Sequence, residues 1–400
     1  MKKSSYMKHE LVGEGSFGCI FIPEIPCTSG VEILNKEVRG RQTVGKVFTY
    51  YDNKHNAIET EKKLAHLVNK WDPQGLYFAI PNKICKTTVE MVKKNPAAEQ
   101  CSELNYFDRA ELDQIIMPYY GLDLGEYMKK YMELFRRKFP VEFFIPMLKN
   151  LLLGVSVLQS HKGIHMDIKS SNVLFDNFKA RIIDFSLLRT YGEVYKMDKF
   201  KSRLQYSYLP YPLEFLLVYH YHYMKCKESE CSIYRYFVDT LNSFGSTPYK
   251  AFIKFHTLNE IIKTIADLEQ WIKDTPGWFE VVNQKVNVID VYSVGMVCVD
   301  LEEYLDYSTL SKVAKGNYIK FVKELTAIDF RKRPNALEAL QLFDRLFFGF
   351  IWLLEGSYFS NFISNEESKS QSGDKETDPA PESTRAIGNA FLVQENEEIS

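Results

Sequence analysis

Two short segments of this sequence carry side chains suited to moving a phosphoryl group. They are His-Met-Asp-Ile-Lys-Ser-Ser-Asn at 165–172 and Asp-Phe-Ser at 184–186. A carboxylate such as that of Asp167 can orient a hydroxyl group and accept its proton. The cation of Lys169 can balance charge on the phosphate that moves, while Asn172 and Asp184 offer the hard oxygen ligands that Mg²⁺ prefers. We therefore predict that the first two residues are catalytic and that the other two hold a metal ion.

A glycine-rich stretch near the start of the chain could direct backbone N–H groups at phosphates. Gly13, Gly15 and Gly18 have the spacing G-x-G-x-x-G. That spacing alone fits an ordinary glycine-rich hairpin equally well. A dinucleotide site would need a helix directly after the glycines, whereas the strand-like residues 20–22 follow here. The pattern therefore favours a strand-turn-strand hairpin that covers the phosphates of a nucleotide.

A lysine in a predicted strand could contact the phosphates of a nucleotide. Lys46 lies between apolar residues, and apolar spacing predicts a helix over 57–69. A carboxylate from that helix would hold the lysine in place. Glu61 is the preferred candidate because a leucine follows three residues later on the packing face, and Glu59 is the alternative. Either glutamate taken alone is typical of a solvated helix face.

Regular elements are predicted around these residues from periodicity and turn residues. We expect a strand at 114–120 interrupted by proline, helices from 124 onward and over 140–159, two short strands within 173–185, and a buried helix over 291–304. An apolar run at 346–354 is too short to span a bilayer and is expected to form a buried helix.

In their order and spacing these segments resemble the protein kinase superfamily. The segment at 165–172 is similar to the catalytic loop H-R-D-x-K-x-x-N, and 184–186 is similar to D-F-G. Further similarities are the last strand and hinge of the small lobe at 114–121, a loose A-P-E match at 211–214, the D-x-W-S-x-G helix start at 290–295, and the D-x-x-x-R-P motif at 328–334. The resemblance covers about residues 8 to 345.

The resemblance implies an enzyme that transfers the γ-phosphate of Mg·ATP to protein hydroxyls. Lysine two residues after the catalytic aspartate is similar to serine/threonine kinases rather than tyrosine kinases. Met117 would be the gatekeeper. Hinges of the family offer adenine a carbonyl at the position of Pro118 and an N–H two residues later, so the proline is acceptable and Tyr120 would donate its N–H. The side chains that would enclose the adenine are those of Ile20, Val44 and Leu174.

The same resemblance implies an α+β, bilobal protein-kinase fold. The predicted small, mainly β lobe covers 8–117, and the large, mainly α lobe covers 118–363 with an insertion at about 216–288. Glu214 would form a buried ion pair with Arg333. The acidic, proline-containing residues 364–400 are expected to be a disordered tail.

Three features depart from the family pattern. Met166 replaces the arginine before the catalytic aspartate, and Ser186 replaces the glycine of D-F-G. The third is the insertion, whose His220, His222, Cys226 and Cys231 could bind zinc, although packing of an added helical subdomain is the favoured reading. Insertions of this kind resemble those of divergent kinases from large DNA viruses.

Composition limits the partners and the compartment. The net charge of −2 provides no general field for nucleic acid or membrane. Protein substrates and ATP are the partners that the resemblance implies. The seven cysteines are scattered and odd in number, which predicts reduced thiols rather than a disulfide framework. With no apolar signal-peptide run, a cytoplasmic location is expected, in the host cytoplasm or virion if the chain is viral.

Two other functions remain open at this stage. The chain could be a pseudokinase scaffold that binds partners without efficient catalysis, although Lys46, Asp167 and Asp184 are all present. It could also phosphorylate a small molecule. The resemblance of Glu214, Asp290 and Arg333 to the large lobe of protein kinases disfavours that option.

Overall fold

Strands dominate the first part of the chain, and helices dominate the rest. The computed structural model describes residues 9–15, 18–35, 41–48, 57–102, 110–176, 179–195, 246–274 and 285–356. A first compact unit contains the described residues up to Leu122 together with Arg181–Leu188. A second unit contains Asp123–Ala180 and the described residues from Arg189 onward.

A six-stranded antiparallel sheet organises the first unit. Its strands are β1 Glu10–Gly15, β2 Gly18–Ile22, β3 Ser29–Ile33, β4 Thr43–Phe48, β5 Lys83–Thr88 and β6 Glu111–Pro118. Their order across the sheet is β1-β2-β4-β6-β5-β3. Helix α1, Ala57–Trp71, packs Ile58 and Ala65 against Phe48, Ile84 and Ile115 of the strands. The helix and the strand predicted at 57–69 and 114–120 are therefore confirmed, with ends shifted by a few residues.

Strand β3 lies in a stretch of the chain whose residues show no strand pattern. It pairs with β5 at the edge of the sheet, and most of its side chains are exposed, including those of Val31 and Ile33. An edge strand with this exposure has no apolar alternation to detect. The preceding loop is held by Gln114, whose Oε1 accepts the N–H of Ile25 at 2.9 Å and whose Nε2 donates to the Ile25 carbonyl at 2.7 Å.

Two disulfide bonds cross-link the first unit. They join Cys19 to Cys101 and Cys27 to Cys85, with Cα–Cα distances of 6.1 and 5.8 Å. The prediction of reduced thiols is therefore wrong for these four residues. A shared apolar core brings Cys19 to Cys101, and the pairing of β3 with β5 brings Cys27 to Cys85. These pairs are 82 and 58 positions apart in sequence, a proximity that cysteine spacing does not reveal. Cys298 is a buried free thiol, while Cys226 and Cys231 lie outside the described residues.

Shorter elements complete the first unit and lead into the second. In the first unit, helix α2, Val89–Lys93, and a 3-10 turn, Ala98–Gln100, follow β5. In the second unit the helices are α3 Leu124–Phe135, α4 Val141–Ser160, α5 Tyr191–Tyr195, α6 Ser246–Phe255, α7 Leu258–Lys273, α8 Ile289–Asp300, α9 Lys312–Leu325 and α10 Ala336–Gly356. The short strands are β7 Phe139–Pro140, β8 Gly163–Ile164, β9 Val173–Asp176, β10 Lys179–Ile182, β11 Arg189–Thr190 and β12 Leu305–Asp306.

Helices α4, α8, α9 and α10 form the core of the second unit. Helix α10 packs against α4 and α9, and α8 packs against α4, α6 and α9. Phe321, Phe343 and Phe347 meet edge-on or tilted inside this core, an arrangement that aromatic rings favour. Helices α6 and α7 belong to the region predicted as an insertion, and they agree with the added helical subdomain predicted there. Zinc binding by the four His and Cys residues of 220–231 cannot be placed, since they lie outside the described residues.

Two long apolar helices of the second unit differ in their exposure. Among the described helices, α4 has the length and composition to cross a membrane, but it is mostly buried, as core helices of that composition are. The apolar run predicted as a buried helix belongs to α10, where Phe347 is buried but Phe348 is 71% exposed. The prediction that this helix is fully buried is therefore wrong at Phe348, because neighbouring positions of a helix face different sides.

The disulfides should stabilise the protein against urea. Each closes a long loop and restricts the unfolded chain, a contribution of about 2–4 kcal/mol per bond. We expect dithiothreitol to lower the urea midpoint of the natural protein. Replacing either disulfide pair with serines should remove part of this sensitivity, and replacing all four cysteines should remove it entirely. A natural protein and a four-serine variant with equal midpoints in the absence of reductant would contradict the prediction.

Candidate functional site

The glycine-rich stretch forms the end of a β-hairpin in the first unit. Gly15 and Gly18 are partners across β1 and β2, and Gly13 pairs with Ile20. At Gly18 φ is 147°, and a Cβ atom there would lie 1.9 Å from the carbonyl oxygen of Val47. Only glycine fits this approach of β2 to β4. Residues 16 and 17 at the tip lie outside the described residues.

Strand β4 and helix α1 bring a lysine and a glutamate into contact. The Nζ atom of Lys46 lies 2.7 Å from Oε1 of Glu61, whereas Glu59 is exposed. Burial disfavours the charged lysine, but the carboxylates of Glu61 and Asp184 outweigh burial and raise the pKa of Lys46. The lysine is therefore held as a cation in a partly enclosed place, as binding of a phosphate would require.

Asp184 has an unusual backbone conformation. Its φ and ψ are 61° and 75°, in the left-handed region, and its Oδ1 accepts the N–H of Ser186 at 3.3 Å. The next ring, Phe185, packs edge-on against Phe78 with centroids 5.5 Å apart. Ser186 lies inside the 3-10 turn Phe185–Leu187, so serine is accommodated where the family pattern has glycine. Left-handed residues that are not glycine are uncommon and concentrate at functional sites.

The residues predicted to contact adenine are mostly on the sheet of the first unit. Ile20 is the partner of Lys46 across β2 and β4, and Val44 is the partner of Met117 across β4 and β6. Leu174 belongs to the second unit, on β9, where it bridges to Asp123. Along the predicted hinge, the N–H of Tyr119 donates to the carbonyl of Gln42 at 2.8 Å, which leaves Tyr120 as the candidate donor to a ligand.

A buried carboxylate holds the backbone of the predicted catalytic loop in the second unit. Asp290 accepts the N–H of His165 at 2.7 Å and the N–H of Met166 at 3.0 Å. Burial raises the pKa of Asp290 to about 6, although these two hydrogen bonds act in the opposite direction. Met166 is buried with φ of 65°, so this apolar residue occupies a left-handed turn just before Asp167. The anchoring role of Asp290 was not predicted from the sequence.

Three of the predicted site residues meet around one carboxylate. The side-chain amide of Asn172 donates to Oδ2 of Asp167 at 2.8 Å and to its backbone carbonyl at 2.9 Å. The Nζ atom of Lys169 lies 3.4 Å from the same Oδ2. Helix α3 packs against the 3-10 turn Ser170–Asn172, which fixes the asparagine. The carboxylate is therefore oriented by two side chains that contact its Oδ2 before any substrate binds.

Each of the two units carries side chains of the types that bind Mg²⁺ or phosphate. Because the nitrogen of the Asn172 amide is directed at Asp167, its oxygen can ligate a cation. Asp184 supplies a carboxylate, and Lys46 supplies a cation suited to phosphate. A different cluster, Glu14 with Cys19 and Cys101, has metal-binding distances, but its sulfurs are joined in a disulfide.

The comparison with known proteins points to the same class. Residues 104–287 match the family described as protein tyrosine and serine/threonine kinase. No curated protein matches the chain. The match includes the segments at 165–172 and 184–186, and it supports placement in the protein kinase superfamily, whose members generally use ATP and Mg²⁺ to phosphorylate proteins. A first unit built on a sheet and a second built from helices fit the kinase fold.

One predicted ion pair cannot be placed. Glu214 lies outside the described residues, so its pairing with Arg333 stays a prediction. Arg333 is buried, donates to the carbonyl of Ala327 through Nη2 at 2.9 Å, and lies 4.6 Å from the ring centroid of Tyr292. The tail at 364–400 also lies outside the described residues.

The contact between Lys46 and Glu61 can be tested with two equivalent substitutions on α1. Glu61→Gln removes the charge that holds the lysine, and we expect kcat/KM for ATP to fall about 10- to 100-fold, the range for a charge-assisted hydrogen bond. Glu59→Gln makes the same chemical change on an exposed residue and should leave kcat/KM within twofold. Equal effects of the two variants would rule out a specific role for Glu61.

The raised pKa of Asp290 predicts a pH dependence of stability. A folded-state pKa above the ordinary value of 3.8 gives a contribution that is full below pH 3.8 and is lost as pH rises through about 6. Relative to Asp290→Asn, the free energy of unfolding of the natural protein should therefore fall by about 2–3 kcal/mol between pH 4 and pH 7. Urea titrations across this range measure the difference. Asp267→Asn, on the exposed face of α7, is the control and should show no such trend.

Proposed function

We propose that this chain is a protein kinase that transfers the γ-phosphate of Mg·ATP to serine or threonine hydroxyls of protein substrates. The observation that carries the proposal is the arrangement around Asp167, whose Oδ2 is contacted by Asn172 and Lys169 at 2.8 and 3.4 Å. The match to the kinase family at 104–287 supports the class of reaction. Serine/threonine preference is supported by Lys169, which stands two residues after Asp167.

Each proposed role follows from the contacts of the side chain. Asp167 orients the acceptor hydroxyl and takes its proton as the new P–O bond forms. Asn172 prevents the carboxylate from rotating away, and the charge of Lys169 offsets negative charge on the transferred group. When bound, Mg²⁺ neutralises phosphate charge, and the oxygens of Asn172 and Asp184 are the proposed ligands.

In the first unit, the proposed roles concern the nucleotide. Lys46, held by Glu61 at 2.7 Å, binds the α- and β-phosphates. Backbone N–H groups of the hairpin that contains Gly13, Gly15 and Gly18 cover the phosphates. The hinge N–H of Tyr120 binds the adenine, with the gatekeeper Met117 and the side chains of Ile20 and Val44 around the base. A contact of the base with Leu174, which belongs to the second unit, stays a prediction.

The origin and location of the protein are further proposals. The resemblance to kinases of large DNA viruses rests on the insertion before α8, and the cytoplasmic location rests on the sequence alone. One premise of the location, that the cysteines are reduced, does not hold for the two disulfide pairs. Association with nucleic acid or membrane is not expected.

The catalytic role of Asp167 is tested by one isosteric substitution. Purified full chain is incubated with Mg²⁺, labelled ATP and a general protein acceptor. Asp167→Asn removes the proton acceptor but no proposed metal ligand, so transfer should fall at least 100-fold while the Kd for ATP stays within about threefold. Asp267→Asn, the same change at an exposed position, should retain full activity.

The same assay distinguishes the alternatives. Labelled phosphoserine and phosphothreonine without phosphotyrosine are expected after acid hydrolysis of the acceptor, and abundant phosphotyrosine would contradict the serine/threonine preference. A natural protein that binds ATP but transfers no phosphate, or an Asp167→Asn variant with unchanged turnover, would favour the pseudokinase scaffold.

A further inference from the structure

Two arginines flank the ring of the proposed hinge residue. The guanidinium carbon of Arg181 lies 4.3 Å from the ring centroid of Tyr120, and that of Arg41 lies 4.9 Å away. The tyrosine is 6% exposed, so these contacts are largely shielded from water. Burial raises the pKa of Tyr120, with the two arginines acting in the opposite direction, and the phenol remains neutral at physiological pH. Shielded contacts of this type are among the stronger cation–π interactions.

Arg181 is itself fixed to a loop of the first unit. Its Nε donates to the carbonyl of Gly75 at 3.0 Å. The loop is ordered by Asp72, a buried carboxylate that accepts the N–H groups of three consecutive residues, Leu76, Tyr77 and Phe78, at 3.0, 2.8 and 3.1 Å. Because the guanidinium group makes both this hydrogen bond and the ring contact, it has little freedom to leave the ring.

The backbone next to Arg181 is attached to the same loop. The N–H of Ile182 donates to the carbonyl of Tyr77 at 2.9 Å, and its carbonyl accepts the N–H of Ala79 at 3.1 Å. Two residues later stands Asp184, the proposed metal ligand. The segment that carries this ligand and the side chain that contacts the hinge are therefore attached to one loop.

Arg41 contributes on the other side of the hinge backbone. Its Nη1 donates to the carbonyl of Tyr119 at 3.4 Å, next to the bond between Tyr119 and Gln42. Gly121, which follows Tyr120, has φ of 93°, so the chain turns directly after the ring. The ring is thus the last anchored side chain before this turn, and its position sets the direction of the Tyr120 N–H.

We propose that Arg181 is a positioning residue for nucleotide binding, which holds Tyr120 so that the hinge N–H meets the adenine. The inference rests on the proposed function. An arginine suits the role because its planar group can face a ring while Nε donates sideways to Gly75. A lysine keeps the charge but has no second donor in that geometry.

Calorimetric titration of purified full-chain variants with adenosine and with Mg·ATP tests the inference. Arg181→Lys should raise the Kd for both ligands by a similar factor of about 5–10, because adenosine has no phosphates and reports on the base alone. The KM for ATP should rise by the same factor while kcat stays within twofold. Arg345→Lys is the same change at an exposed position on α10 and should leave every value unchanged.

Substitutions of Tyr120 provide a second, independent test. Tyr120→Phe keeps the aromatic face and should bind adenosine several-fold more tightly than Tyr120→Leu does. In the Tyr120→Leu background, Arg181→Lys should cause no further loss, because the contact is already absent. If Arg181→Lys does not fold by thermal melting, the Tyr120 pair decides the matter.

The outcomes separate the inference from the function on which it rests. A natural protein that binds neither ligand overturns both. A natural protein that binds ATP and transfers phosphate, together with an Arg181→Lys variant of equal adenosine affinity, overturns the positioning role alone. A lowered kcat with unchanged adenosine affinity also overturns it, as do additive effects of the two substitutions.

Discussion

The buried carboxylate of Asp290 fixes the backbone on which the proposed catalytic residues stand. Two consecutive N–H groups, of His165 and Met166, would otherwise be buried without partners, at a cost of about 1–3 kcal/mol each. The hydrogen bonds also hold Met166 in a left-handed conformation that an apolar residue seldom adopts. The turn directs Asp167 toward Asn172, and the loop thus depends on a residue more than a hundred positions away.

In the first unit, Asp72 likewise fixes a backbone segment through a buried carboxylate. There a buried carboxylate accepts three consecutive N–H groups and shapes a loop on which Ile182 and Arg181 are attached. At Lys46 the buried group is a cation. Burial disfavours its charge, and the carboxylates of Glu61 and Asp184 stabilise that charge. In both units, charged groups with fixed partners, more than apolar packing, determine where the proposed site residues point.

Local spacing explains which parts of the site could be predicted from the sequence. Asp167 and Asn172 are five residues apart in one loop, and Lys46 and Glu61 come from a strand and the helix that follows it, so patterns of residues revealed both pairs. Contacts between distant segments left no such pattern, as with Asp290 and His165 or Arg181 and Tyr120. Strand β3 was not predicted because an exposed edge needs no apolar alternation. The disulfides were not predicted because packing between distant segments, and not cysteine spacing, brings their partners together.

The disulfides make the first unit a covalent ring within a ring. Cys27 and Cys85 both lie between Cys19 and Cys101, so the smaller loop is nested in the larger one. A molecular motor that pulls on the chain from the N-terminal side transmits its force from Cys19 directly to Cys101. The chain between them, with a sequence separation of 82 and an extended length of roughly 280 Å, then bears no tension. A degradation machine with a pore for one strand would have to admit three strands at once, so oxidised protein should resist threading even where its fold is weak.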